Sequence, residues 1–507
     1  MSIAAPGIKT RLMVGMEVHV ELATRSKMFT SAPNVAHPDY YEAEPNTLTD
    51  PVVLGMPGTL PVINKRAVEM SMLVGLALGC QIARFTKWDR KSYYYPDLPK
   101  NYQISQYDLP LCFDGAIDIP LSDEPSAPTK RIGIIRAHLE EDAGKLLHEA
   151  PGGIPIDYSI VDLNRAGTPL LEIVTAPDFE SAEQCVIFAQ TLRNICRHLG
   201  VSEGIMQRGH MRFEPNINVI IEKDGREYRT PVVEIKNLNS FKALYGAVQY
   251  EYERQVEEWL QTGRVQGRGE KRTRGWDDVK QVTVLQREKE DAHEYRYFPD
   301  PDLVPVVISE EWLESVQQQM PELPTARFHR YVHDLGLKPV DARTIIDEPA
   351  VTRFFEEVLA TGIEPRRAAA MLLNYGAKRA NERNVRIDEL GITPQQIAGI
   401  AALQEADKIS SSAADELFGL CCEEAHRGAA VEQLAQQRGL LQVSDTAALE
   451  AFVDEVLANE KNARAIADIR GGKEAAIGAL IGQVMKLSKG QANPKLVTQL
   501  IKQKLGQ

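Results

Sequence analysis

Residues Gly15-Met16-Glu17-Val18-His19-Val20-Glu21-Leu22 alternate apolar and ionisable side chains without a break. An extended chain turns successive side chains to opposite sides, so Met16, Val18, Val20 and Leu22 form one face and Glu17, His19 and Glu21 the other. The octet therefore predicts a strand with one face in a core and a carboxylate–imidazole–carboxylate row on the other. Such a row serves a cation or a substrate, or it is the solvated side of an edge strand. The octet alone leaves both readings open, Glu21 in particular having no assigned task beyond solvation.

A second two-faced segment lies downstream. In Arg212-Phe213-Glu214-Pro215-Asn216-Ile217-Asn218-Val219, the side chains of Phe213, Pro215, Ile217 and Val219 share one side, and Arg212, Glu214, Asn216 and Asn218 the other. Asp224-Gly225 is a hairpin turn signal, and a return strand carries Val233-Glu234-Ile235-Lys236. A two-residue turn centred there puts Glu214 within one residue of directly opposite Glu234. Two carboxylates so placed repel by about a few tenths of a kcal/mol or more unless something intervenes. A metal, a proton on one acid, or neutralisation by Lys236 and Arg212 would each satisfy the pair.

His138-Leu139-Glu140-Glu141-Asp142-Ala143-Gly144-Lys145 forms a third acidic cluster, after the strand-like Ile132-Gly133-Ile134-Ile135. It reads either as a solvated turn or as the oxygen-rich set that a magnesium ion takes. Trp88-Asp89-Arg90-Lys91-Ser92-Tyr93-Tyr94-Tyr95-Pro96-Asp97 and Glu294-Tyr295-Arg296-Tyr297-Phe298-Pro299-Asp300 mix cations with aromatics. That mixture suits phosphate binding and base stacking, and equally a loop packed by tyrosines.

The 507 residues, 43% hydrophobic and 25% charged, exceed one ordinary domain and have ample material for cores. No apolar run approaches ~20 residues and the N-terminus lacks a basic-then-apolar leader, so a cytoplasmic protein is expected. The six cysteines (Cys80, Cys112, Cys185, Cys196, Cys421 and Cys422) contain no C-x-x-C pair, so buried reduced thiols are expected, with no zinc site. A net charge of −13 argues against wholesale nucleic-acid coating. Residues 461–507 nevertheless carry nine Lys or Arg against two acids, and Arg264, Arg268, Lys271, Arg272 and Arg274 cluster in a Gly-rich loop. Either could guide a polyanion or be a solvated surface. Signatures of P-loop, dinucleotide-binding, zincin and serine-hydrolase sites are absent from the sequence.

Before residue 300, alternating β-branched segments and turn signals dominate, with helices predicted near Lys65–Gly79, over Ser181–Leu199 and from Asn239-Ser240 to Gly263. Runs of strands without regular β-α alternation read as α+β with an antiparallel sheet. A proline-rich, linker-like stretch follows, with one short strand at Leu303–Ile308. Beyond Pro324 the pattern is helical, with starts at Thr393-Pro394 and Ser410-Ser411-Ser412. Domains are expected at 1–300, 301–405 and 406–507.

Taken together, these segments resemble the GatB/GatE family of the aspartyl/glutamyl-tRNA amidotransferases, the tRNA-dependent amidating enzymes. The resemblance rests on the opening octet, on Arg90-Lys91 to Gln106, on His138 to Lys145, and on Asp162-Leu163-Asn164-Arg165-Ala166-Gly167-Thr168-Pro169-Leu170. It continues through Lys236-Asn237-Leu238-Asn239-Ser240, Tyr295-Arg296-Tyr297-Phe298-Pro299 and Lys489-Gly490-Gln491-Ala492-Asn493-Pro494, and so spans essentially the whole chain.

The resemblance implies a glutamine-synthetase-like cradle domain, an all-α helical domain and a YqeY-like α-helical tail that binds tRNA. It implies that ATP phosphorylates the side-chain carboxylate of Glu-tRNA(Gln) and/or Asp-tRNA(Asn), with Mg²⁺, and that ammonia then displaces phosphate. Ammonia would come from an amidase subunit (A), in a heterotrimer with a small subunit (C). The implied metal and catalytic residues are Glu17, His19, Glu141, Glu214 and Glu234, although relatives commonly carry Asp at position 214. Nucleotide contact is expected from Arg90, Lys91, Tyr95, Lys100, Lys145, Arg212, Lys236 and Arg296, and tRNA contact from Lys486, Lys489, Lys495, Lys502 and Lys504. A non-catalytic tRNA-binding scaffold and a metal-dependent hydrolase are the rival readings.

Overall fold

The computed structural model describes residues 7–122, 124, 127–150, 153–267, 271–288, 295–442, 446–470, 473–488 and 492–506. The chain forms two compact units, Met1–Ala326 and Arg327–Gln507.

The first unit is built on a sheet of thirteen strands among the described residues. Ten of them lie on one path: β1 (Ile8–Glu21), β2 (Asp89–Ser92), β3 (Tyr102–Ser105), β4 (Thr129–Glu141), β5 (Pro169–Thr175), β6 (Met211–Lys223), β7 (Val233–Lys236), β8 (Arg272–Asp277), β9 (Val282–Glu288) and β10 (Phe298–Pro299). Their spatial order is β9-β8-β7-β6-β1-β5-β4-β3-β2-β10. Along this path only β7 and β8 run parallel. The architecture is thus mixed, with helices against one large and mostly antiparallel sheet.

The opening octet lies within β1, which is bonded along its length to β6 and over Glu17–Glu21 to β5. The edge-strand reading therefore fails. Val18 lies opposite Ile173 and Phe213, and Val20 opposite Leu171 and Met211, each of these side chains at most 1% exposed. Hydrophobic burial on this face fixes the register, because a one-residue slip would turn the acids into the core.

Three helices cover the apolar side: α1 (Lys65–Ala77), α2 (Ala182–His198) and α3 (Phe241–Thr262). Each starts on a side-chain cap, Asn64, Ser181 and Ser240 respectively, accepting from backbone N–H groups of the first turn. The Gln184 side chain accepts from the Glu180 amide. α3 ends at Gly263 with φ of 66°, a left-handed cap that suits glycine. Buried residues of all three helices join β1 in one core. All six cysteines are buried and free.

The expected strand at Leu303–Ile308 contracts to Val306–Val307, paired with Phe85–Thr86. Ile308, Leu313 and Val316 pack into the first core, so the segment after residue 300 is part of the first unit and not a linker. In the second unit every described element is a helix. The cap at Thr393 with Pro394 forms as a reciprocal box with Gln396, and Ser410 caps the next helix. Buried apolar residues from Tyr331 to Ala435 form one cluster and those from Leu449 to Ile501 another. The boundary expected near 405 falls inside the first of these, because Ile409 and Leu417 are buried together with Ile400. The break in packing comes after Leu441 instead.

All four tryptophans (Trp88, Trp259, Trp276 and Trp312) lie in the first unit, so their fluorescence reports its unfolding. Leu171→Ala, at a fully buried position between Val20 and Leu139, is expected to lower stability by about 2–5 kcal/mol in urea titrations followed by that signal.

Candidate active site

The polar face of β1 continues onto its neighbours as a basin of ionisable groups. β1 supplies Glu17, His19 and Glu21. Across it, β5 places Glu172 opposite His19, and β6 places Glu214 opposite Glu17 and Arg212 opposite His19. β4 adds His138, opposite Glu172, and Glu140, opposite Leu170. His19 Nε2 lies 3.5 Å from both Glu17 Oε1 and Glu172 Oε2, and His138 Nε2 lies 3.7 Å from Glu172 Oε2.

Burial and mutual repulsion shape the charges here. Burial, with Glu172 and Glu214 adding to it, pushes the Glu17 carboxyl up. Burial takes Glu140 to about 7, despite Lys91 nearby. His19 is desolvated, yet its hydrogen bond to Glu172 and the charge of Glu214 outweigh this and raise it to about 9. Burial lowers His138 to about 4. Glu172 sits well below the usual carboxylate range: burial opposes this, but His138 and His19 prevail.

Two donor sets fit a hard divalent cation. Glu17, His19 and Glu172 each bring a ligand atom within 4.8 Å of the others, as do His138, Glu140 and Glu172. Glu140 Oε2 is buried without a hydrogen-bond partner among the described residues, as a metal-ligand atom would be, and His19 turns its Nε2 toward Glu17 and Glu172. Carboxylates with one imidazole suit Mg²⁺ or Mn²⁺ better than a thiolate-seeking metal.

Of the residues expected from sequence, Glu17, His19 and Glu214 meet in the basin. Glu234 lies opposite Asn216, one position away from the expected register. Lys236 bridges the two acids, 2.6 Å from Glu214 and 2.9 Å from Glu234, and Lys271 lies 2.8 Å from Glu234. These cations hold Glu234 down to about 2, against its burial. The pair is therefore neutralised by lysine, one of the three solutions open at the outset. Arg212 turns elsewhere, donating to Asp142 at 2.8 Å.

Glu141 is not in the basin. Strand alternation sets it on the face of Ala137 and Leu139, where its carboxylate accepts from Lys100 and, at 3.0 Å, from the Ile104 amide. Its neighbour Glu140 occupies the basin instead. Glu140, His138 and Glu172 are additions to the expected set. Glu172 has a signal in Leu170-Leu171-Glu172-Ile173-Val174, since one acid inside an apolar strand needs a partner. Glu21 is 2% exposed rather than solvated, and burial raises it to about 8.

Among the expected nucleotide contacts, Lys91 alone of the first loop points into the basin. Burial works against its charge, but Glu140, Tyr297 and Glu172 hold it firmly protonated. Its ammonium lies 5.0 Å from the Tyr295 ring centre and 6.0 Å from that of Tyr93. Arg90 instead clamps the chain at 2.8 Å from both Asp300 and Asp302. Lys100 is held by Glu141, while Tyr95, Lys145 and Arg296 are exposed. Tyr95 packs edgewise on Tyr93, at 6.0 Å between ring centres.

The sequence pattern of the GatB/GatE catalytic domain matches residues 12–314, which contain this whole basin, and that of the GatB domain matches residues 353–505. The chain belongs to the GatB/GatE family. It is 43% identical to the B-type subunit of the aspartyl/glutamyl-tRNA(Asn/Gln) amidotransferase of Carboxydothermus hydrogenoformans, over 97% of this chain and 98% of that one. It is 43% identical to the protein of that name from Thermosynechococcus vestitus, over 99% and 98%. With that of Listeria monocytogenes (strain EGD-e) the identity is 44%, over 96% and 98%. Family membership thus covers the catalytic-domain basin and the helical C-terminal region alike.

His19 offers a direct check. With its pKa raised to about 9, the protonated ring contributes stability that is fully present below about 6.5 and lost as pH rises through 9. Histidine ¹⁵N NMR of the metal-free protein should show one ring titrating near 9. Adding Mg²⁺ should move that titration to lower pH, because a ligand nitrogen must be unprotonated. A ring titrating at its ordinary value in both conditions would rule out this arrangement.

Proposed function

We propose that this chain is the GatB-type component of a tRNA-dependent amidotransferase, the one that activates a carboxylate with ATP. The observation that carries this reading is the basin in which Glu17, His19, Glu140, Glu172 and His138 face one another beside Lys91 and Arg212. The relatives' names add the substrate class, a tRNA carrying aspartate or glutamate.

In the proposed reaction a side-chain carboxylate oxygen of Glu-tRNA(Gln) and/or Asp-tRNA(Asn) attacks the γ-phosphorus of ATP, and ADP leaves. Ammonia then attacks the acyl carbon, phosphate departs, and the nitrogen loses a proton to give the amide. A free carboxylate is a poor electrophile, whereas an acyl phosphate has a stable leaving group. Lys91 is suited to hold phosphoryl oxygens, as its ammonium is kept charged inside a desolvated site. Mg²⁺, when bound by Glu17, His19 and Glu172 or by His138, Glu140 and Glu172, would screen the charge of the nucleotide phosphates. The chain Glu214–Lys236–Glu234–Lys271 would keep the basin's far side neutral.

The ammonia source would be an amidase subunit (A), with glutamine as donor and a small subunit (C) completing a cytoplasmic heterotrimer. That makes the complex an ATP-dependent carbon–nitrogen ligase. The sheet-based part would be a glutamine-synthetase-like cradle, followed by an all-α domain and a YqeY-like tail, with the division near 326 and after 441 where the packing changes. A non-catalytic scaffold has no use for so many desolvated acids, each of which opposes folding unless paired.

The tail would meet the tRNA backbone. Lys486 is exposed, Lys495 pairs with Asp407 at 2.9 Å, and Lys504 pairs with Asp454 at 2.6 Å. Lys502 is half-buried, and Lys489 lies outside the described residues, as does Arg268 of the other basic cluster. In that cluster Arg272 and Arg274 lie on strand β8 rather than in a loop and pair with Glu258 and Glu251 of α3, so this segment is weaker as an RNA site.

The assembled complex, given ATP and mischarged tRNA, should release ADP only when the RNA is present; no RNA-dependent release would sink this reading. Glu140→Gln and Glu172→Gln should each slow that release by about 100-fold or more. Glu141→Gln should cost less than about tenfold, since Glu141 faces Lys100. Removing Lys486 or Lys495 should weaken tRNA binding and flatten its log–log salt dependence by about 0.7–0.9 per lost phosphate contact, read by filter binding.

A further inference from the structure

Glu21, His210 and Tyr41 are buried ionisable groups that the reaction above does not use. Glu21 and His210 face each other: the pairing of Val20 with Met211 carries on by one residue, and the Glu21 amide donates to the His210 carbonyl at 2.9 Å. Cross-strand partners so placed have their side chains on the same face of the sheet. The Tyr41 ring packs on the His210 ring at 5.1 Å between centres, and the Arg208 guanidinium lies over it, 4.7 Å from the ring centre.

Three polar atoms in this corner, Glu21 Oε1, Tyr41 Oη and His210 Nδ1, are shielded from solvent and have no hydrogen-bond partner among the described residues. Glu21 and His210 are only 2% and 3% exposed. An unsatisfied buried polar atom costs about 1–3 kcal/mol, so three together point to an occupant. The corner also constrains its chemistry. A carboxyl oxygen and a phenol oxygen can each accept a hydrogen bond, and a neutral imidazole nitrogen can accept a third. His210 is kept neutral by its burial and by Arg208 and Lys145. The complementary ligand is small, donor-rich and without bulk.

Position supports the same conclusion. Glu21 lies two residues beyond His19 on the same strand face, about 7 Å along β1 from the metal-type donor set. Asp142, Arg212, Arg165 and Lys145 lie around it. A nucleophile held here would stand beside the activated carboxyl group and not in bulk water.

We propose that Glu21, Tyr41 and His210 form a subsite for ammonia, which positions the nitrogen nucleophile next to the acyl phosphate. This inference rests on the amidation reaction proposed above. It makes Glu21 and Tyr41 substrate-positioning residues, distinct from the groups that handle ATP.

The test uses the assembled complex with ATP, mischarged tRNA and ammonium chloride as the only nitrogen source. Glu21→Gln replaces an acceptor by an amide, and Tyr41→Phe removes one hydroxyl while keeping the ring on His210. Each should raise KM for ammonium, by about tenfold or more for Glu21→Gln and about threefold for Tyr41→Phe. KM for ATP should stay within about twofold, a split that general structural damage would not produce. An unchanged KM for ammonium in Tyr41→Phe, with wild-type amidation intact, would mean that the corner holds only water and would overturn the inference. Should the wild-type complex itself make no amide from ammonium and ATP, the reaction and not the subsite is refuted. Tyr41→Phe decides the matter alone if Glu21→Gln does not fold.

Discussion

β1 is held between β5 and β6 by backbone ladders on both sides, and everything else in the first unit depends on that register. Its odd face, Glu17, His19 and Glu21, and its even face, Met16, Val18 and Val20, cannot exchange without inverting the core. The apolar burial that secures the even face is therefore the same force that holds the acids in place. Each fully buried aliphatic side chain contributes about 1.5–3 kcal/mol, and β1 draws on several along with their partners Ile173, Leu171 and Phe213. A basin of like charges is tolerable because its geometry is not set by the charges.

The charges are then managed locally, in two ways. Where a lysine or arginine is within reach, the acid is paired: Glu214 and Glu234 through Lys236, Asp142 through Arg212, Glu141 through Lys100. Where neither forms an ion pair with it, the acid or imidazole shifts its proton affinity, as Glu17, Glu140 and His19 do. The second group is the one with orphaned ligand atoms and metal-like spacing. Paired acids thus mark the supporting wall and unpaired ones the working surface.

Much of this is legible in the sequence, and the misreadings have local causes. The two faces of the opening octet follow from alternation alone. The Asp224-Gly225 turn and the pairing of Ile221 with Tyr228 are also as the hairpin signal predicts. Beyond Thr230 the register moves by one, so that Glu234 meets Asn216. Pro231 has no amide to give to the ladder, and an extra residue enters there. Glu141 is expected from the family resemblance alone, and on β4 its face is set by Ile135, which is bulged out between pairs Ile134–Thr175 and Arg136–Val174. An unbulged strand would have placed Glu141 on the basin face. The bulge reverses the alternation, and His138 and Glu140 face the basin in its place. Neither shift leaves a mark in residue types strong enough to be read before the strands are paired. Glu172 escapes a linear reading for a different reason, since its partners, His19 and His138, come from strands distant in sequence.

The two units use their positive charge differently, and this bears on how one chain could serve both nucleotide chemistry and a large polyanion. In the first unit Lys100, Arg212 and Lys236 face acids at close range, so their field is spent inside the site, and on β8 Arg272 and Arg274 pair with Glu258 and Glu251 of α3. In the tail helix Pro494–Leu505, by contrast, Lys495 remains about three-quarters exposed although it pairs with Asp407. Exposed pairs of this kind contribute little to stability and are readily exchanged for another anion. A phosphate backbone could thus displace Asp407 at small cost, whereas an external anion would have to draw Lys236 away from two carboxylates at once, Glu214 and the buried Glu234. The same residue type therefore holds a site together in one unit and leaves a surface available in the other, and burial decides which.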